Sequence, residues 1–121
     1  MACILVVDDD TAGLDLRRLI LEREGHRIFS AGDAARARAL FFEIHPDCVV
    51  LDLRLPELAA GLRLIGEFRS ASQEVRIIVL SGWPLDLDGR PEAQMVNLIL
   101  AKPIRTAALV SALDDSALNA L

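Results

Sequence analysis

The chain of 121 residues has no tyrosine, one tryptophan, four phenylalanines and two cysteines. It carries only 13 Lys and Arg against 18 Asp and Glu, for a formal net charge of −5. That balance excludes non-specific nucleic-acid binding through a basic face. The short run Arg36–Arg38 reads as a solvated helix face. No apolar run approaches the roughly 18 residues of a membrane span. No charged leader is followed by a long apolar stretch, so no secretory signal is read and a cytoplasmic location is expected. Cys3 and Cys48 both sit in apolar, strand-like runs and read as small core residues, since nothing argues for an oxidising compartment.

What is present is apolar and ordered. Hydrophobic residues make up 53% of the chain. Mean hydropathy is +0.37, which excludes disorder as the overall state. The length fits one domain over residues 1–121, long enough to bury a core.

Strand-like and helix-like segments alternate. Strands are expected at 3–7, 26–30, 48–52, 75–80 and 97–101. Leu14, Leu16, Leu19 and Ile20 recur at helical spacing behind Thr11 and Asp10, both placed to cap a first helix. Asp33 is placed to cap a second helix that ends before His45-Pro46-Asp47. Helices are expected again over 62–71 and from Thr106 to about Leu118, with a loop from Leu53 to Gly61. Residues 82–94 hold two Pro and two Gly, which fits a long loop or a short, poor helix. Five strands alternating with about five helices give an α/β fold with a parallel sheet, and the near-continuous apolar strands fit a sheet covered on both faces.

Each of four strands ends on a polar residue. Ile4–Val7 runs into Asp8 and Asp9, Cys48–Leu51 into Asp52, Ile77–Leu80 into Ser81, and Leu98–Ala101 into Lys102. Strand C-termini converge on one edge of such a sheet, where sites are built. Three clustered carboxylates repel unless a hard cation relieves them, and Mg²⁺ accepts one or two carboxylates while keeping waters and room for phosphate. A lysine at that edge pairs with phosphate as a point charge, and a hydroxyl donates to another oxygen. The set suits a carboxylate that becomes phosphorylated.

The pieces Val6-Val7-Asp8-Asp9-Asp10, Leu51-Asp52-Leu53-Arg54-Leu55-Pro56, Leu80-Ser81-Gly82 and Ala101-Lys102-Pro103, in that order and register, resemble the receiver domain of two-component response regulators. The resemblance covers essentially the whole chain. It implies a flavodoxin-like doubly wound fold with strand order 2-1-3-4-5. It implies that Asp52 accepts a phosphoryl group from a sensor histidine kinase or a histidine phosphotransfer protein. Asp9, Asp52 and the backbone carbonyl of Arg54 would ligate Mg²⁺, with Asp8 acting through metal-bound water. Ser81 and Lys102 would contact the phosphoryl group, and a cis peptide bond is expected before Pro103. A homodimer and an output partner are open. So is the choice between a stand-alone receiver and a domain of a hybrid kinase or larger regulator, since no DNA-binding or catalytic domain is read after Leu118.

Three departures stand out. The family's glycine eight residues after the phosphorylated Asp is Ala60 here, with Gly61 following, as if one residue were inserted in the loop. The family's switch aromatic, three residues before the lysine, is Ile99. The usual small pair before the last strand is missing near Met95-Val96. Arg54 and Trp83, each two positions after a loop anchor, sit where the family sets water access to the phosphoryl group. His26 and His45 flank turns and have no metal-ligand company. Two other functions fit parts of this pattern. A pseudo-receiver would bind a partner without phosphorylation. A haloacid dehalogenase-like phosphatase needs a second Asp two residues after the nucleophile, where this chain has Arg54. A signalling domain, not an enzyme with its own substrate, is therefore expected.

Overall fold

A computed structural model describes residues 2–113. Five parallel strands, β1 (Cys3–Val7), β2 (Arg27–Ala31), β3 (Cys48–Asp52), β4 (Arg76–Ser81) and β5 (Leu98–Ala101), form one sheet in the order β2-β1-β3-β4-β5. Four α-helices connect or follow them: α1 (Thr11–Arg23), α2 (Ala34–Ile44), α3 (Leu58–Ala71) and α4 (Thr106–Leu113). The expected extension of the last helix to Leu118 falls on residues outside the described ones.

Alternation along the central strands sorts the core into two faces. Leu5, Val7, Val49, Leu51, Ile77 and Val79 pack under α2 and α3, against Phe41, Leu64, Ile65 and Phe68. Ile4, Val6, Cys48, Val50, Ile78 and Leu80 pack under α1 and α4, against Leu14, Leu21, Leu109 and Leu113. Both faces are thus covered, which is why the strands are apolar at every position rather than every second one. Phe41 stacks on Phe68 with ring centroids 4.1 Å apart, pinning α2 to α3. Cys48 is fully buried, and burial pushes its thiol up to about 12. Both cysteines are free.

Local chemistry explains the helix boundaries. The Asp33 carboxylate accepts the backbone N–H of Arg36 at 2.7 Å, a side-chain N-cap at the expected residue. Asp10 stands at the N-cap position of α1 without a side-chain cap bond. α1 buries Leu14 and Leu21 but exposes Leu16 and Leu19, so its inward stripe is narrower than the leucine spacing implied. α3 begins at Leu58, four residues before the expected start. Leu58-Ala59-Ala60 are strong helix formers, and Gly61 does not break the helix because its missing side chain is what the packing requires there. The stretch after β4 folds into two short 3₁₀ turns, Pro84–Leu87 and Pro91–Gln94, separated by Gly89 at φ +73°. Arg69 ties this stretch to the end of α3. Its guanidinium donates to the carbonyls of Val75 (2.7 Å) and Met95 (2.9 Å) and to Asn97 Oδ1 (3.0 Å). His26 is not a plain surface residue: its Nδ1 accepts the Ala2 N–H at 3.2 Å.

Candidate functional site at the C-terminal edge of the sheet

The register brings the strand-end residues to one level. Val7 pairs with Leu51, Asp52 with Leu80, and Ser81 with Ala101. Ladder-like bonds continue past the strand ends: Asp8 N–H to Ala31 O (3.1 Å), Leu53 N–H to Leu80 O (3.0 Å) and Lys102 N–H to Ser81 O (2.8 Å). Asp8, Asp9, Asp52, Ser81 and Lys102 are therefore placed by the backbone of the sheet itself. The structure brings all five to one edge of the sheet, with the three carboxylates and Lys102 in one cluster.

Among the described residues, Asp8, Asp52 and Ser81 are the buried polar ones, at 1%, 7% and 3% exposure, while Asp9 faces solvent. Carboxylate oxygens of Asp8, Asp9 and Asp52 lie within 4.8 Å of one another. Three carboxylates so close fit a hard divalent cation, which accepts oxygen ligands and removes the repulsion. Lys102 Nζ, the ammonium of the only lysine in the chain, sits 2.5 Å from Asp52 Oδ2. The other Asp52 oxygen accepts the backbone N–H of Arg54 at 3.2 Å. Burial raises the Asp8 carboxyl above the usual carboxylate range, and the Asp52 charge adds to the rise. The Asp10 N–H and the Arg17 and Lys102 charges oppose it.

Two neighbouring loops frame this cluster. Both Leu55-Pro56 and Lys102-Pro103 are cis; the second was expected. The Ser81 hydroxyl donates to Trp83 O at 2.8 Å and accepts the Trp83 N–H at 3.0 Å. Trp83 O also accepts the Asp86 N–H at 2.9 Å. Arg54 reaches across from the β3 loop to pair with the Asp86 carboxylate at 3.1 Å. The loops after β3 and β4 are thus joined, and Trp83 itself is 70% exposed.

Sequence reasoning missed Arg17 and Asp86. The guanidinium of Arg17 donates to Asp8 Oδ2 from Nη1 (2.7 Å) and Nη2 (2.6 Å). The available signal was spacing: Gly13 and Arg17 follow Asp10 at helical intervals of three and seven, on the face turned to the site. Asp86 lies 32 residues from Arg54, and no local pattern links them.

The model of the response regulator receiver domain matches residues 4–114. The chain belongs to this family. The receiver superimposes on a receiver domain protein from Clostridium thermocellum with a TM-score of 0.87 and 27% identity, covering 99% of this chain and 96% of that one. It matches the response regulator TrrA from Thermotoga maritima, solved in complex with Mg²⁺ and BeF, with a TM-score of 0.83 and 27% identity, covering 93% and 96% of the two chains. Among curated proteins, the sensor histidine kinase AruS of Pseudomonas aeruginosa is 32% identical over 117 residues, 93% of this receiver but 12% of that protein. The receiver spans about a third or less of the curated relatives it matches. Among the described residues, no helix is long and apolar enough to cross a membrane.

Proposed function

We propose that this receiver accepts a phosphoryl group on Asp52 and relays the event as a conformational change. The observation that carries the reading is the contact of the only lysine with a buried carboxylate of the acidic cluster, Lys102 Nζ on Asp52 Oδ2 at 2.5 Å. A buried carboxylate with a cation on one side and a metal-type cluster on the other is built to become a charged acyl phosphate. The donor would be a phosphohistidine on a sensor histidine kinase or a histidine phosphotransfer protein. Its P–N bond breaks, a P–O bond to Asp52 forms, and the electron pair of the broken bond stays on the imidazole, which takes up a proton.

Asp9, Asp52 and the Arg54 carbonyl would hold Mg²⁺, with Asp8 acting through a metal-bound water. The ion would supply positive charge to the transferring oxygens. Lys102 would exchange its Asp52 partner for a phosphoryl oxygen, and Ser81 would donate to another. Residues 1–121 would form one receiver domain, cytoplasmic and without direct nucleic-acid contact. Its output partner, or a second copy of the chain, would read the change. Incubation with acetyl phosphate and Mg²⁺ is expected to add about 80 Da to the intact mass, with no gain in EDTA. A mass unchanged under both conditions sinks the reading and favours a phosphorylation-independent interaction module.

The route of the signal follows from one proton. Ser81 has a single O–H, and it is spent on Trp83 O. A bond to a phosphoryl oxygen takes that proton away, and the Asp86 N–H keeps the carbonyl satisfied. Ser81 also accepts the Trp83 N–H, so a turn of its hydroxyl toward the phosphoryl group loosens both of its bonds to Trp83 and carries the signal there without the switch aromatic that Ile99 replaces. Trp83 is the only tryptophan, so its emission reports the step. Beryllofluoride with Mg²⁺ is expected to shift or quench emission by roughly 10% or more in the wild type, and by much less in Ser81→Ala. Equal changes in both would place the coupling elsewhere.

A further inference from the structure

Asp8 is unusually well occupied for a carboxylate beside a cation site. Its two oxygens offer about four acceptor positions. Nη1 and Nη2 of Arg17 take two of them on Oδ2, and the Asp10 N–H takes a third, on Oδ1, at 2.9 Å. The Arg17 side chain is only 16% exposed, so the pair is held largely out of water. Room for it comes from Gly13. A Cβ there would stand 3.1 Å from Asp10 Oδ2 and 3.3 Å from Arg17 Nη1. Arg17, Asp8 and Lys102 line one side of a cavity of about 520 Å³ between α1 and the loop after β5. The acidic cluster is thus flanked by two cations, Lys102 on Asp52 and Arg17 on Asp8.

Resting on the assignment of the Asp8, Asp9 and Asp52 cluster as the Mg²⁺ site, we propose that Arg17 is a positioning residue that weakens and tunes Mg²⁺ binding by holding Asp8. Its charge offsets one of three carboxylates. Its two N–H groups also fill the Oδ2 positions that a metal-bound water would use, which leaves one position on Oδ1. A cation entering the cluster meets a carboxylate already engaged and a like charge already present. Lys102 has a different task, because it faces the oxygen that becomes esterified. Arg17 stays clear of that oxygen and acts on the metal through Asp8.

The test is isothermal titration of the full chain with MgCl₂ in the absence of any phosphodonor. Removing a nearby unit charge from a partly enclosed divalent site tightens binding by roughly tenfold. Arg17→Met is expected to show that gain. Arg17→Lys, which restores the charge, should return the dissociation constant to within about threefold of wild type. Arg18→Met makes the same change in net charge on the same helix. Arg18 pairs with Glu22 in an exposed, i,i+4 contact, so that variant should match wild type. Unchanged or weaker binding in Arg17→Met overturns the proposal, because neither the Arg17 charge nor its hold on Asp8 would then oppose the cation. An equal gain in Arg18→Met overturns it too, since net charge alone would explain the effect. A wild type that binds no Mg²⁺ overturns the metal site itself, and the proposal with it. Arg17→Gln, which keeps a donor and loses the charge, should bind more tightly than wild type and serves if Arg17→Met unfolds.

Discussion

Asp52→Asn is expected to abolish phosphoryl uptake from acetyl phosphate while leaving the fold intact. Asn offers one carbonyl oxygen and no anionic nucleophile, so the intact mass should stay at its starting value with or without Mg²⁺. Mg²⁺ affinity should fall by roughly tenfold or more, because the cluster loses one of its three carboxylates. Stability should move little, within about 1 kcal/mol, because two effects oppose. The Lys102 contact is lost, but that ammonium is about a third exposed, and a pair so open to water contributes little. Repulsion among the three acids is relieved, which favours the variant in metal-free buffer. Mass spectrometry and a thermal melt in EDTA check both halves. A mass gain at the wild-type rate in Asp52→Asn would move the acceptor to another residue. A collapsed melt would show that Asp52 holds the fold together as well as carrying the site.

The strand-end residues were legible because a parallel sheet writes its edge into the sequence. Each apolar run matches a strand, and the first polar residue marks the C-terminal edge of the sheet. Asp8, Asp52, Ser81 and Lys102 all obey this, and the two-faced core explains why the runs do not alternate. What stayed hidden depends on contacts between distant residues. Arg69 binds Met95 and Asn97, and Arg54 pairs with Asp86, across 26 to 32 residues. Arg17 was hidden for a different reason. It sits among Leu16, Leu19 and Ile20, so the helix read as an apolar stripe. Leu16 and Leu19 in fact face water, while Arg17 turns toward the acids. The start of α3 was misplaced because Gly61 reads as a breaker by propensity, yet here packing decides.

That glycine gives the sharpest mechanical prediction. A Cβ on Gly61 would lie 1.8 Å from the backbone oxygen of Leu53 and 2.7 Å from its carbonyl carbon. Neither is the end of a flexible side chain, so α3 or the loop after β3 must move. Gly61→Ala is expected to destabilise the domain by about 3 kcal/mol, at the upper end for overpacking, even though alanine is the better helix former. The displacement would act next to Asp52 and Arg54, so phosphoryl uptake should also slow where the variant remains folded. Ala60→Gly tests the register directly. Ala60 precedes the contact, so its replacement should cost only the helix penalty of about 1 kcal/mol. Denaturant melts of both variants, read with mass-detected uptake, separate the cases. A large loss in Gly61→Ala beside a small one in Ala60→Gly means that the one-residue insertion after Asp52 has carried the close helix–loop contact with it. Equal small losses would mean that the loop yields to a methyl group, and that close packing of α3 on Leu53 does not hold Asp52 in place.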